Sequence, residues 1–175
     1  MVILALISVL ILIGIDSAIK QWALLVLTKV DTIPIIENVL HLTYVENRGA
    51  AFGIMQDKKW FLLILTSIIA IGAIILLISN KLKSRLAVAS VALIVAGGIG
   101  NLIDRIARGF VVDYIDFRLI NFAVFNFADC CVVIGTALLA IYILFIDGKK
   151  NPAIMDELSA DDDEFPHSKN EDNNA

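Results

Sequence analysis

Four stretches of the chain, residues 2–27, 60–79, 86–103 and 127–146, are almost unbroken runs of apolar side chains. A helix needs about 20 mostly apolar residues, at about 1.5 Å of rise each, to cross the hydrocarbon core of a bilayer. The pattern therefore predicts four transmembrane helices. The second run has no charge inside it, whereas the first is interrupted by Asp16 and Lys20. That first run lacks a basic leader and a small-residue cleavage site, and a charged pair stands where a secretory core would continue. It is expected to remain as a mature span. Between the first two runs, residues 39–45 alternate in part and are rich in β-branched side chains, as a strand would be. A turn and tight backbone over 48–53 follow. Residues 110–117 are again strand-like, and a turn at 119–121 with a short strand to Phe125 can follow them. The expected fold is an all-α polytopic membrane protein, four transmembrane helices with a small extracytoplasmic β-sheet and loop cradle.

Composition agrees with the pattern. The 175 residues are 59% hydrophobic and 18% charged, with a mean hydropathy of +0.85. Soluble domains are typically about half apolar and a quarter charged. Whole-chain disorder, a disulfide scaffold and a basic nucleic-acid binder are excluded. The net charge of −4 is gathered at one end: residues 147–175 hold nine acids and three bases, leaving nine acids and eleven bases elsewhere. Residues 1–150 are thus expected to form the transmembrane domain. Residues 151–175, with their Asp161-Asp162-Asp163-Glu164 run, form an acidic, disordered cytoplasmic tail. Four spans place both termini on one side. Lys81, Lys83 and Arg85 in the short middle link, with Lys149 and Lys150, favour that side as cytoplasmic, although Arg48, Arg105, Arg108 and Arg118 in the outer connections leave the raw count undecided.

Polar groups at bilayer depth cost about 2.5–3.5 kcal/mol each on insertion scales, so each asks for a reason. Asp16 and Lys20 stand one helical turn apart in the favourable order for an ion pair, serving as a self-neutralising structural pair or as a brace that shapes a site. Asn101, Asp104 and Arg105 share one face of the third helix. Beside them Ala92, Ala96 and Gly100 form a small-residue stripe, and Gly97-Gly98 thins the helix for close packing. Asn126 is a candidate N-cap with Asp129 at the third helical position. A polar connection of this length can bring Asp113 to Asp129, but spacing alone favours a surface acid and a capping acid that never meet. Adjacent Cys130 and Cys131 are expected to pack inertly. His41 and His167 have no nucleophile partner in sight, and neither a metal-ligand cluster nor a cofactor fingerprint is present in the sequence.

Five stretches in order carry a resemblance: Asp16-Ser17-Ala18-Ile19-Lys20, Glu46-Asn47-Arg48-Gly49-Ala50-Ala51-Phe52-Gly53, Gly97-Gly98-Ile99-Gly100-Asn101-Leu102-Ile103-Asp104-Arg105, Val111-Val112-Asp113-Tyr114 and Phe125-Asn126-Phe127-Ala128-Asp129. Together they resemble the type II (lipoprotein) signal peptidases of bacteria over nearly the whole chain to about Asp147. Ser17 stands where that family usually has glutamine. The resemblance implies an aspartic endopeptidase of the bacterial inner membrane, working near its outer face without metal or cofactor. It would remove signal peptides from diacylglyceryl-modified prolipoproteins by cutting just before the lipidated lipobox cysteine. Asp113 and Asp129 match the catalytic pair. Asp16, Lys20, Asn47, Arg48, Gly49, Asn101, Asp104, Arg105, Asn126 and Ala128 match positions that bind substrate or shape the site. Partners would be prolipoproteins and membrane lipids, not nucleic acid, and the protein is expected to be a monomer. Apart from the resemblance, two other classes fit the polar pattern: a small proton or ion carrier with a charged relay, and a non-catalytic assembly or lipid-binding subunit.

Overall fold

The computed structural model describes residues 1–49, 59–120 and 122–147. In chain order it contains helix α1 (Val2–Val26), strands β1 (Thr32–Ile36) and β2 (Leu40–Asn47), helices α2 (Lys59–Ile78) and α3 (Arg85–Ala107), strand β3 (Val111–Phe117), and helix α4 (Phe127–Ile141). A π-helical stretch, Tyr142–Asp147, continues α4. The chain divides into two compact units, Met1–Leu139 and Ala140–Ala175; the helix packing, the sheet and the candidate site all belong to the first.

Three of the helical segments, Val2–Lys29, Arg85–Ala107 and Phe127–Ile146, are long and apolar enough to cross a membrane. The second run of the sequence also folds as a helix, α2, of 20 residues, within which Leu63–Ile78 forms an apolar stretch among the described residues. Large apolar side chains such as Ile3, Leu10, Ile68 and Val133 stand exposed, as expected of helices whose outer solvent is hydrocarbon.

Helix α3 is the centre of the packing. Val88, Val91, Ala92, Val95 and Ala96 along it are buried and meet Ala5 and Val9 of α1 and Leu77 of α2 in one apolar cluster. Lipid supplies no hydrophobic force between helices, so close van der Waals approach must hold them. The small residues provide it: a Cβ on Gly97 would lie 2.2 Å from the Ala128 carbonyl oxygen of α4. Helix α3 runs four residues beyond the end at 103 expected from hydropathy. It stops where Gly109 takes φ 86°, its N–H donating to the Arg105 carbonyl at 3.2 Å. Left-handed backbone of this kind after a helix is the usual place for glycine.

The sheet is antiparallel in the order β1-β2-β3, and a second apolar cluster of Ala23, Leu27, Val112 and Tyr114 seats it on the end of α1. Sequence reading missed β1. Its Thr-Ile-Pro-Ile-Ile run is β-branched, but Pro34 argues against a strand except at an edge, which is where β1 lies. Asn38 at φ 61° makes the turn into β2, a conformation asparagine tolerates better than most residues. After β3 a single 3-10 turn, Arg118–Ile120, takes the place of the expected turn at 119–121, whose last residue lies outside the described residues. The expected strand to Phe125 is one bridge, Ile115 to Phe125. The tight backbone expected over 48–53 lies largely outside the described residues, as do residues 151–175.

Candidate active site

The bridge to Phe125 brings the two halves of the site together. Tyr114 and Ile115 N–H groups both point at the Phe125 carbonyl (3.0 and 2.8 Å), and Phe125 N–H returns to the Ile115 carbonyl at 3.1 Å. Asp113 precedes one side of that bridge, and Asn126 follows the other. Asn126 then caps α4 as its sequence position predicts. The Asp129 N–H donates to Asn126 Oδ1 at 3.0 Å, and Asn126 N–H donates to Asp129 Oδ2 at 3.1 Å. This reciprocal pair satisfies two backbone donors that a helix start leaves open.

The Asn126 side chain completes the link by donating from Nδ2 to Asp113 Oδ1 at 2.6 Å. Asp113 Oδ2 accepts from Asn47 Nδ2 at 2.8 Å. Sheet register explains that contact: Val45 pairs with Asp113 and Asn47 with Val111, so Asn47 and Asp113 are diagonal neighbours on one face. Asp113 is 1% exposed. Burial, and then the Asp129 charge, push its carboxyl up from the ordinary 3.8 to about 6, against the pull of the Asn47 and Asn126 amides. Asp129 Oδ1 accepts from Asn101 Nδ2 at 2.7 Å. Both carboxylates, with Asn47, Asn101 and Arg105, line one cavity of about 880 Å³, whose other walls include Ile69 of α2, Ile94 of α3 and Val132 of α4. The spacing-based alternative, two acids that never meet, does not describe this fold.

A buried ionic cluster lies behind the pair. Lys20 Nζ is 2.9 Å from Asp16 Oδ2 and 3.1 Å from Asp104 Oδ2, and donates to Asn101 Oδ1 at 2.9 Å. Asp16 Oδ1 accepts from the Ala128 N–H at 3.1 Å, fastening α1 to the first turn of α4. Gly100 makes room for it, since a Cβ there would lie 2.6 Å from Asp16 Oδ2. Asp104 Oδ2 also accepts from the Val112 N–H at 3.1 Å, tying α3 to β3, and Asp104 Oδ1 pairs with Arg108. Asp16 and Lys20 are thus both a self-neutralising pair and a brace.

The other predicted residues divide. Arg105 reaches the Gly49 carbonyl at 3.3 Å, and Gly49 N–H turns back to Asn47 Oδ1 at 3.0 Å; Asn47 and Arg105 line the cavity. Arg48 lines the cavity too, but its guanidinium pairs with Glu46 at 2.9 Å and lies over the Phe110 ring. Sequence reading did not single out Arg108 or Tyr114. Arg108 stands four residues after Asp104, a spacing that signals an ion pair. The Tyr114 hydroxyl accepts the Phe127 N–H at 3.1 Å, another open donor of α4, and burial pushes that hydroxyl's ionisation up; nothing in local sequence points to this contact. Cys131 is buried and Cys130 partly so, both unpaired, and no group of metal-ligating side chains occurs among the described residues.

Membrane-length helices topped by a sheet that sets one carboxylate beside a second at a helix start define a membrane protein with an acid-pair pocket. Paired carboxyls of this kind can serve as acid and base. The chain belongs to the family described as signal peptidase (SPase) II, whose model matches residues 8–145. It is 49% identical over 143 residues to a lipoprotein signal peptidase of Clostridioides difficile, covering 81% of this chain and 95% of the relative. A lipoprotein signal peptidase of Brevibacillus brevis is 40% identical, covering 81% and 94%. A bacterial membrane enzyme solved by the in meso method superposes with a TM-score of 0.73 at 30% identity, covering 84% of this chain and 90% of that one. Of the three readings open on the polar pattern, the family is that of the peptidase.

Proposed function

We propose that this signal peptidase II frees prolipoproteins of their signal peptides as an aspartic endopeptidase, with Asp113 and Asp129 as the reacting pair. The observation that carries the reading is the joining of the two carboxylates through Asn126 at the wall of one cavity. Peptide hydrolysis needs a base for water and an acid for the leaving amine. Two neighbouring carboxyls holding one proton supply both, because each charge opposes ionisation of the other. Asp129, in the first turn of α4, meets the positive end of the helix dipole and holds the anion. Asp113, buried with its carboxyl raised to about 6, carries the proton in the singly protonated pair. Asp129 takes a proton from water as it attacks the scissile carbonyl. Asp113 first donates toward that carbonyl oxygen, and the pair then delivers a proton to the departing nitrogen.

Arg105 and Asn47 face the cavity from α3 and β2 and hold the substrate backbone, while Arg48 and Gly49 shape the mouth. The apolar walls from α2, α3 and α4 suit a substrate that is part signal helix and part acyl chain, with the cut just before the lipidated cysteine. In this reading α2 is the fourth span and both termini are cytoplasmic. Residues 1–150 form the peptidase domain and 151–175 its acidic tail. The sheet and the pair stand at the outer face of the inner membrane, and the enzyme works as a monomer among membrane lipids.

The test is incubation of purified protein with a diacylglyceryl-modified prolipoprotein. The wild type shortens it. Asp113→Asn and Asp129→Asn insert and bind the substrate but leave it whole. Turnover retained by either purified variant would remove the pair from the mechanism.

A further inference from the structure

An asparagine amide has two unlike ends: Oδ1 only accepts and Nδ2 only donates. Asn101 stands between the buried cluster and Asp129, so which end faces which neighbour decides what Asp129 meets. Lys20 settles the matter. Its ammonium has three donors and no acceptor; it donates a hydrogen bond to Asn101 Oδ1 at 2.9 Å and lies in ion-pair contact with Asp16 Oδ2 at 2.9 Å and Asp104 Oδ2 at 3.1 Å. Asn126 Nδ2 adds a second donor to the same Asn101 oxygen at 3.2 Å. With two donors on its oxygen the amide cannot turn over, and Nδ2 is left to face Asp129 Oδ1 at 2.7 Å. The Asn126 N–H already faces Asp129 Oδ2. Each oxygen of Asp129 therefore meets a donor.

We infer that Lys20, which donates to neither carboxylate of the reacting pair, is a positioning residue that locks the Asn101 amide and thereby keeps Asp129 as the base. The inference rests on the aspartic reading above and adds to it the group that assigns the two roles. The charges facing Lys20 support it. Asp16 comes from its own helix, Asp104 from α3, and Arg108 neutralises Asp104 from the far side. Two acids and two bases leave the cluster balanced. Lys20 is 1% exposed, and its hydrogen bond goes to the Asn101 amide oxygen. Without Lys20 the Asn101 oxygen keeps only the longer bond from Asn126 Nδ2, at 3.2 Å, and the amide is held less firmly against Asp129.

A double-mutant cycle on cleavage of the diacylglyceryl-modified prolipoprotein tests this, because two residues acting through one contact give losses that do not add. Asn101→Leu removes the donor to Asp129 at nearly equal size, and its kcat is expected to fall about 100-fold, within the range for disabled acid–base catalysis, with KM little changed. Lys20→Met is expected to lower kcat at least about 10-fold with KM likewise unchanged, a split that marks an interaction felt in the chemical step. The double variant is expected to be no slower than Asn101→Leu alone. Losses that multiply, or a Lys20→Met effect confined to KM, overturn the inference. Should Lys20→Met fail to accumulate, the cycle is run on Asp16→Asn, where Lys20→Met restores charge balance and the asparagine oxygen still accepts the Ala128 N–H. Activity of that pair equal to Asp16→Asn alone also overturns it. Asp113→Asn and Asp129→Asn run alongside: turnover in either sinks the reacting pair itself, whereas inactive controls with a multiplicative cycle sink only the role of Lys20.

Discussion

Asp113 shows how a single side chain is set by its surroundings. Two amides donate to it, yet burial and the neighbouring Asp129 charge win, and its carboxyl titrates near 6 rather than 3.8. An acid whose ionisation is raised by folding favours the folded state while it is neutral. Its contribution is complete below about pH 4 and disappears as pH rises through about 6, on the order of 3 kcal/mol across that window. Thermal unfolding of the detergent-solubilised protein is expected to show a falling melting temperature from pH 4 to pH 7, and Asp113→Asn to flatten that fall. An unchanged slope in the variant contradicts the burial argument. Asn126 touches both acids of the pair and Asn101. Asn126→Ala removes a helix cap, about 1 kcal/mol of stability, but also both side-chain links to Asp113 and Asn101. Activity is therefore expected to fall far more than stability, measured by turnover and melting temperature on the same preparation. The cap was legible beforehand, because Asn126 and Asp129 are three apart in one segment. The bond from Asn126 to Asp113 was not, because its geometry is set by the bridge at Phe125.

Among the elements, α3 has the most to lose. Gly97→Ala places a methyl carbon against the Ala128 carbonyl, and backbone cannot yield as a flexible side chain can. Separation of α3 from α4 is expected, with a cost of about 1–3 kcal/mol, and turnover falls because Asn101 retreats from Asp129. Gly98→Ala is the control: its Cβ meets nothing within 4 Å, so stability is expected to stay near wild type in the same melting assay. The small-residue stripe was visible in the sequence, but which of its glycines faces α4 depends on how the helices are rotated. Strand β1 teaches the complementary lesson. Pro34 hides a strand from local reading because propensity counts a missing N–H against pairing, while an edge strand has an open side where that donor is not needed.

For the whole molecule, the four-span reading makes a topological prediction. With Cys130 and Cys131 replaced by serine, a cysteine at Asn80 is expected to react with a membrane-impermeant maleimide only after the cytoplasmic side is exposed, and one at Ile36 from the outside. Labelling of both from one side rules out an odd number of crossings between sheet and middle link, and with it the proposed orientation. The sequence alone determined that this is a membrane chain, where its long helices run, that strands lie between them, and which polar residues had to be explained. It could do so because hydropathy and capping are local: they depend on residues within a turn or a span of one another. Tertiary structure alone decided that Asp113 and Asp129 face one cavity, that Asn47 reaches Asp113 across the sheet, and that Lys20 is bonded to a residue 81 positions away. Those contacts depend on strand register, helix rotation and backbone close approach, which no window of sequence encodes by itself. Two carboxyls on one cavity, Asp113 buried and Asp129 partly so, come together only once every element around them is in place.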